Sequence, residues 1–357
     1  MKKNTLNILI TGTGGPTPRS FARSLKELSK YKEYRLFGTD IHKYAIGLYQ
    51  NQLFEKSFIT PRSTQEDYWE ATEKIIKEND IDMAVILPET EVRTWSQKQA
   101  EGTLPCKALI PDIKAVDNMI DKSVLTKALA PHGLVPNSVD IDPAEENLEE
   151  KIKEKLTYPF WVRSATGSSG LGSFKVQTFA DLIKWVSINQ GVTNFIASDF
   201  LSGRNLGCKF LYHNGKLLRS AVGERVNYIM SKVSPSGITG NTSYGRLLND
   251  EKAFEASLKA IEIMFDQTGA ERHGFFTVDL KEDANGKPFV TEINIRHVAF
   301  TSAFALGGAN FCEDTIRLLD DDETFDREFK LYEFEKDLIF LRDVDALPII
   351  MKETDLI

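Results

Sequence analysis

The chain has 357 residues, 41% hydrophobic and 27% charged, enough apolar material for a sizeable core without disulfide or metal staples. Its 52 acidic and 44 basic side chains leave a formal charge of −8, which argues against nucleic acid as a main partner, because neutralising phosphates takes clustered Lys and Arg. No apolar run approaches the ~18 residues of a membrane-spanning helix. The start lacks a signal peptide's long apolar region, and Cys106, Cys208 and Cys312 are too far apart for a zinc site or a disulfide framework. A cytoplasmic protein with reduced thiols and no membrane partner is expected.

The first ~120 residues alternate strand and helix patterns. LNILIT (6–11) is a short apolar run ending in glycines. Phe21, Ala22, Leu25 and Leu28 then recur at helical spacing. YRLFGTD (34–40), MAVILP (83–88) and CKALI (106–110) read as further strands, with a helix marked by Tyr68, Thr72, Ile75 and Ile76 between the first two. Such alternation predicts βαβ units and a parallel sheet. A short helix around Val124, Leu125, Ala128 and Leu129 follows, and the charged stretch 141–156 reads as a solvated helix. From Tyr158 the pattern changes. PFWVRS (159–164) and FKVQ flank a Gly/Ser loop, and Phe179, Leu182, Ile183 and Val186 line a helix. FIASDFL (195–201), GCKFLY (207–212) and KLLRSAV (216–222) are strands. Phe254, Leu258, Ile261 and Phe265 mark a helix before the paired strands GFFTVDL (274–280) and PFVTEIN (288–294). Antiparallel hairpins with intervening helices predict an α+β unit after the α/β one.

That last pair carries the sharpest chemical inference. If Asn285-Gly286 is a two-residue turn, Asp279 falls opposite Glu292 and Thr277 opposite Asn294. Alternation then sends Phe276, Val278 and Leu280 to one face, and Asp279, Glu292 and Asn294 to the other. Two opposed carboxylates repel each other, whereas two carboxylates with an amide suit a hard cation such as Mg²⁺. The plain alternative is a solvent-facing hairpin.

Two glycine-rich loops offer phosphate cradles. Gly12-Thr13-Gly14-Gly15 lies between a strand and a helix, with Asp40 about where a ribose-binding acid would sit. The G-x-G-x-x-G spacing is missing, however, since Thr17 stands between Pro16 and Pro18, and a plain strand–helix turn is the favoured reading. Gly167-Ser168-Ser169-Gly170-Leu171-Gly172 lies between two strands and lacks a Walker A ending; it could fold backbone N–H groups over phosphates, with Arg163 upstream as a fixed charge.

Taken in order, these pieces resemble the ATP-grasp superfamily, in particular the large chain of carbamoyl phosphate synthase and the carboxylate–amine ligases. Asp121-Lys122 resembles the family's Asp-Lys pair, and Tyr158 to Arg163 its strand ending in a phosphate-contacting base. The Gly/Ser loop follows at the family's spacing, and Asp199-Phe200-Leu201-Ser202-Gly203 resembles the adenine-holding hinge. Phe275 to Asp279, and Thr291-Glu292-Ile293-Asn294-Ile295-Arg296, resemble the two metal-binding strands. The Glu-x-Asn-x-Arg run is the most specific match. Asn205 departs from the usual ribose-holding acid, and Ile295 from a common proline.

The resemblance implies a Rossmann-like domain at 1–112, a small lid subdomain with linker helices at 113–195, a C-terminal subdomain with the metal hairpin at 196–325, and an extension at 326–357. It implies ATP held by Lys122, Arg163, Ser168, Ser169, Gly170, Asp199, Phe200, Leu201 and Asn205. Mg²⁺, with Mn²⁺ as a substitute, would sit on Asp279, Glu292 and Asn294, and Arg296 would be catalytic. The implied reaction activates a carboxylate as an acyl phosphate for attack by an amine, and homodimers are frequent in the family. Glu89 and Glu91 read as surface carboxylates, and His297 as structural rather than a base. The segment 223–247, with Arg225 and Arg246, is read either as the lining of the acceptor cleft or as a solvent loop. An NAD(P)-binding oxidoreductase or epimerase, built on the first glycine turn, and a nucleotide-binding protein without catalysis are the competing readings.

Overall fold

The computed structural model describes residues 3–166, 170–343, 349–352 and 354. Among them the strands form three sheets. The first contains β1 (Thr5–Thr11), β2 (Glu33–Asp40), β3 (Lys56–Ile59), β4 (Met83–Val85) and β5 (Lys107–Ala108), all parallel, in the order β3-β2-β1-β4-β5. β1 is buried on both faces, as a central parallel strand must be. Leu6, Ile8 and Ile10 pack with Phe21 and Leu25 of the first helical segment and with Cys312 and Ile316 of the late helix Phe311–Leu319. Leu9 joins Phe37, Tyr68, Ile76 and Trp95 on the other side.

The second sheet is antiparallel and small: β6 (Ser138–Ile141), β7 (Phe160–Ser164), β8 (Phe174–Val176) and β9 (Phe195–Asp199), in the order β6-β9-β7-β8. It has its own core of Val139, Ile152, Phe160, Val162, Leu182 and Phe195, whereas the first and third sheets share one continuous core. The stretch 141–156 is therefore part strand and part helix, with the helix confined to Leu148–Lys155. Because β9 pairs with β6 and β7, the division between second and third sheets falls between Asp199 and Asn205, slightly later than the 195/196 boundary expected.

The third sheet contains β10 (Asn205–His213), β11 (Lys216–Tyr228), β12 (Thr242–Leu248), β13 (Gly274–Glu282), β14 (Pro288–Asn294), β15 (Lys330–Leu331), β16 (Leu338–Leu341) and β17 (Ile349–Lys352). Its order is β14-β13-β10-β11-β12-β16-β17, with β15 on β11, so the C-terminal extension completes this sheet. Phe276, Val278 and Leu280 face the helix Glu251–Thr268, where they meet Ala260, Ile261 and Phe265. Phe275 joins an aromatic layer with Phe300, Phe304 and Phe340 on the opposite face. That opposite face carries the site.

Several elements escape the sequence pattern, among them the helix Phe311–Leu319 and the strands of the C-terminal extension. β3 is a half-exposed edge strand, and the helix Glu89–Ala100 has a weak apolar stripe. β12 is rich in Ser, Thr and Gly, and is a strand because the long β11 offers it a ladder.

Candidate functional site

A cavity of about 460 Å³ lies between the second and third sheets. Lys122, Arg163, Gly170, Asp199, Phe200, Leu201, Asn205, Asp279 and Glu292 all line it; Ser168 and Ser169 lie outside the described residues. Local chemistry explains how each arrives there. Asp121 caps the helix Lys122–Leu129 by accepting from the N–H groups of Ser123 (2.8 Å) and Val124 (3.0 Å), which sets Lys122 at the first helical position. The Lys122 N–H donates to the Ala165 carbonyl at 3.0 Å, tying the helix to the end of β7. Arg163 donates from Nη2 to the Thr291 carbonyl at 2.8 Å, while its buried Nε has no partner among the described residues. Burial lowers the affinity of Arg163 for its proton, and Glu292 acts in the other direction.

The hinge is anchored at its far end. Gly203 donates to the Glu282 carbonyl at 2.9 Å, and a Cβ at Gly203 would meet the Glu282 Cβ at 2.6 Å, so only glycine allows this approach. Phe200 is stacked over by Lys175, whose Nζ lies 4.1 Å from the ring centroid.

Asp279 and Glu292 are directly opposed on β13 and β14, and Thr277 opposes Asn294, as the sequence predicts. The reason differs from the one assumed. Glu282 pairs with Pro288, so the connection is longer than two residues, with Asp283 Oδ1 accepting from the N–H groups of Asn285 and Lys287. A bulge between Asp279 and Leu280 in the ladder then restores the expected register. Asn294 Nδ2 donates to Asp279 Oδ2 at 3.3 Å and to Glu292 Oε1 at 3.4 Å, so three oxygen-bearing side chains converge. Two cations neutralise the pair: Lys122 Nζ lies 3.3 Å from Glu292, and Arg225 binds Asp279. Burial and the neighbouring Glu292 raise the proton affinity of Asp279 despite Arg225. Burial acts the same way on Glu292, but Lys122, Arg163 and Arg225 outweigh it and hold it as a carboxylate. Opposed, cation-bound carboxylates with an amide beside them are a donor set that suits Mg²⁺.

A second cavity, about 310 Å³, shares Arg225, Asp279 and Glu292 with the first. Arg296, Asn294, Asn241 and Phe300 line it from the third-sheet side, and Gly12, Gly15 to Pro18, and Pro88 from the first domain. Arg296 donates from Nη1 to the His297 carbonyl at 3.1 Å, and its Nε is buried without a partner among the described residues. Arg225 is thus part of the lining, whereas Arg246 pairs with Glu224 at 3.1 Å. Neither Arg225 nor Asn241 carries a spacing signal of its own; only the antiparallel course of β11 and β12 brings them here.

The glycine turn is built against a dinucleotide. Asp40 does not await a ribose: its carboxylate accepts from the N–H groups of Gly14 (2.8 Å) and His42 (2.9 Å). Gly47 packs so tightly on the turn that a Cβ there would lie 2.1 Å from the Thr13 carbonyl oxygen. Pro16 begins the helix and Pro18 follows in its first turn, which removes two amide donors. Glu91 also departs from expectation: it is buried and accepts from Tyr68 Oη, binding two helices together instead of meeting solvent. His297 is structural, stacked on Phe275 at 3.5 Å, with burial holding it neutral.

One buried group has no counterpart in the sequence reading. Lys209 on β10 is fully enclosed, with Nζ 3.3 Å from Thr301 Oγ1 and 4.9, 5.0 and 5.6 Å from the rings of Phe300, Phe304 and Phe275. Burial, with Arg225 nearby, pushes its pKa down to about 7.

No family model and no curated protein matches the chain. Solved structures do. N5-carboxyaminoimidazole synthetase from Staphylococcus aureus, in complex with ADP, superimposes with a TM-score of 0.70 at 15% identity, over 95% of this chain and 83% of that one. An L-amino acid ligase from Bacillus licheniformis gives 0.65 at 17% identity, over 95% and 79%. Biotin carboxylase from Campylobacter jejuni, in a complex with an ATP analogue, gives 0.65 at 17% identity, over 94% and 75%. No helix among the described residues is long and apolar enough to cross a membrane.

Proposed function

We propose that this chain, which has the ATP-grasp fold, is an ATP-dependent ligase that activates a carboxylate as an acyl phosphate and passes it to an amine. The observation that carries the reading is the shared wall: the Asp279, Glu292 and Arg225 side chains border both cavities. A phosphoryl group leaving a nucleotide in one cavity would meet an acceptor in the other across that wall. Two of the similar structures hold adenine nucleotides, and the three bear the names of a synthetase, an amino acid ligase and a carboxylase.

A carboxylate reacts poorly with amines because its leaving group would be oxide; as an acyl phosphate it has a good one. In this reading the hinge at 199–201 and Asn205 hold the nucleoside, and Lys122, Arg163 and the Gly/Ser loop hold phosphates. Asp279, Glu292 and Asn294 would hold Mg²⁺ or Mn²⁺, which supplies neutralisation of the phosphate charge when bound. Arg296 lines the acceptor cavity with an Nε that has no partner among the described residues, and it would stabilise charge developing on the transferred group. The second sheet, with its separate core, can close as a lid and exclude water. His297 takes no part as a base in this reading, since it is buried against Phe275 and burial lowers its affinity for a proton.

The test is ADP release with Mg-ATP and a panel of small carboxylates, with hydroxylamine as the trapping amine. A carboxylate-dependent hydroxamate formed in step with ADP supports the reading. ADP release without hydroxamate, or no Mg-dependent nucleotide binding at all, refutes it.

A further inference from the structure

The two carboxylates that the proposed reaction assigns to the metal are already bound to cations of the protein. Lys122 Nζ lies 3.3 Å from Glu292, and the Arg225 guanidinium binds Asp279. Three of these four side chains are at most 12% exposed, and Glu292 is 28% exposed, so the contacts are set into the wall between cavities and are not surface ion pairs. The Arg225 contact has a specific structural basis. Arg225 stands on β11 and Asp279 on β13, with β10 between them. The residue of β10 opposite Asp279 is Gly207. A Cβ at Gly207 would lie 3.5 Å from Asp279 Oδ1 and 3.7 Å from Arg225 Nη2, so the guanidinium passes over a glycine to reach the carboxylate. The Phe300 ring supports it at 5.0 Å, and its Nε is buried without a partner among the described residues.

Lys122, Arg163 and Arg225 all act on Glu292, and Arg225 also acts on Asp279. Three cations on two carboxylates leave no net negative charge to attract a divalent ion. Triphosphate or diphosphate oxygens change this balance, because Lys122, Arg163 and Arg225 all line the nucleotide cavity and guanidinium and ammonium groups favour phosphate.

We propose that Arg225, with Lys122, is a stand-in cation: it occupies the carboxylate pair in the nucleotide-free protein, and a divalent ion enters only together with a nucleotide whose phosphates draw the protein's cations away. Arg225 is then a positioning residue. The inference rests on the ligase reading for the identity of the metal-holding side chains.

The test is Mn²⁺ binding to the full chain, read from the electron paramagnetic resonance of free Mn²⁺ with and without ADP, each compared with a protein-free sample of the same Mn²⁺ and ADP so that chelation by ADP alone is subtracted. Wild-type protein should take up Mn²⁺ with ADP and leave it free without. Arg225→Gln should bind Mn²⁺ without nucleotide on the order of 10–100-fold more tightly than wild type. Arg225→Lys should restore the wild-type pattern. A gain of metal binding is not an outcome that mere disruption of the fold produces. If Arg225→Gln does not fold, Lys122→Met provides the same test from the Glu292 side. Equal Mn²⁺ binding by wild type with and without ADP would overturn the inference and leave the ligase reading standing. So would a folded Arg225→Gln protein that gains nothing. No Mn²⁺ binding by wild type even with ADP would overturn the ligase reading, and this inference with it.

Discussion

Lys209 offers a test of the energetics that requires no substrate. Its amine is fully buried among three phenylalanine rings, and Thr301 Oγ1 is its one hydrogen-bond partner identified among the described residues. Burial takes its pKa from the ordinary 10.5 to about 7. That difference corresponds to about 5 kcal/mol at 1.36 kcal/mol per pH unit. The sign follows from linkage. The unfolded chain binds the proton more tightly, so the penalty is fully present below pH 7, shrinks as pH rises from 7 towards 10.5, and vanishes above that. Lys209→Met has similar length and no charge, and Thr301 keeps its bond to the Val298 carbonyl at 2.7 Å. The variant should therefore gain up to about 5 kcal/mol on wild type at pH 6, with most of the gap closed at pH 10 and the rest above 10.5. Urea denaturation of both proteins across that range measures it. A gap that does not change with pH, or a variant less stable at pH 6, would show that the buried amine is compensated in a way the cage does not reveal.

Further predictions concern the site. Glu292→Gln keeps the side-chain volume but removes the carboxylate that pairs with Lys122 and would hold a cation; carboxylate-dependent ADP release should fall by about 10²–10³, while circular dichroism stays native. Gly170 has φ +75°, and a Cβ there would meet the Ile238 carbonyl oxygen at 2.8 Å. Gly170→Val should thus strain the loop against its facing segment by about 1–3 kcal/mol and raise the KM for ATP more than it lowers kcat; an unchanged KM would detach this loop from nucleotide binding. Asp40→Ala removes acceptors for Gly14 and His42 and should cost about 1–3 kcal/mol in urea denaturation. NADH should give no thermal shift with either wild type or this variant, and a wild-type shift would revive the dinucleotide reading. His297→Phe should leave the pH profile of ADP release unmoved, because a histidine held neutral by burial contributes no titration near pH 7; loss of an acidic limb would contradict this.

Much of the candidate site was legible because its signals are local. Alternation along 274–280 and 288–294 depends only on the period of a strand, so the opposition of Asp279 and Glu292 follows from a short stretch of chain. It survives an incorrect turn because a bulge compensates for the longer connection. Asp121 beside Lys122 is likewise a local cap that places its neighbour. Ser168 and Ser169 remain expectations from the resemblance alone.

What the amino-acid order by itself determined was the alternation of elements, the change from parallel to antiparallel units, and the residues each strand turns to one face, all set by backbone geometry and side-chain periodicity. What only the tertiary structure decided was which distant residues meet. Arg225 reaches Asp279 because β10 lies between their strands with a glycine at the crossing. The first glycine turn is closed because Gly47 packs onto Thr13, a contact no spacing rule encodes. Lys209 stands in a strand where alternation allows either solvent or core, and it is buried because Phe275, Phe300 and Phe304 arrive from later in the chain. Periodicity acts within one element, whereas burial and charge pairing depend on which elements pack together, and that is settled by the free energy of the whole fold.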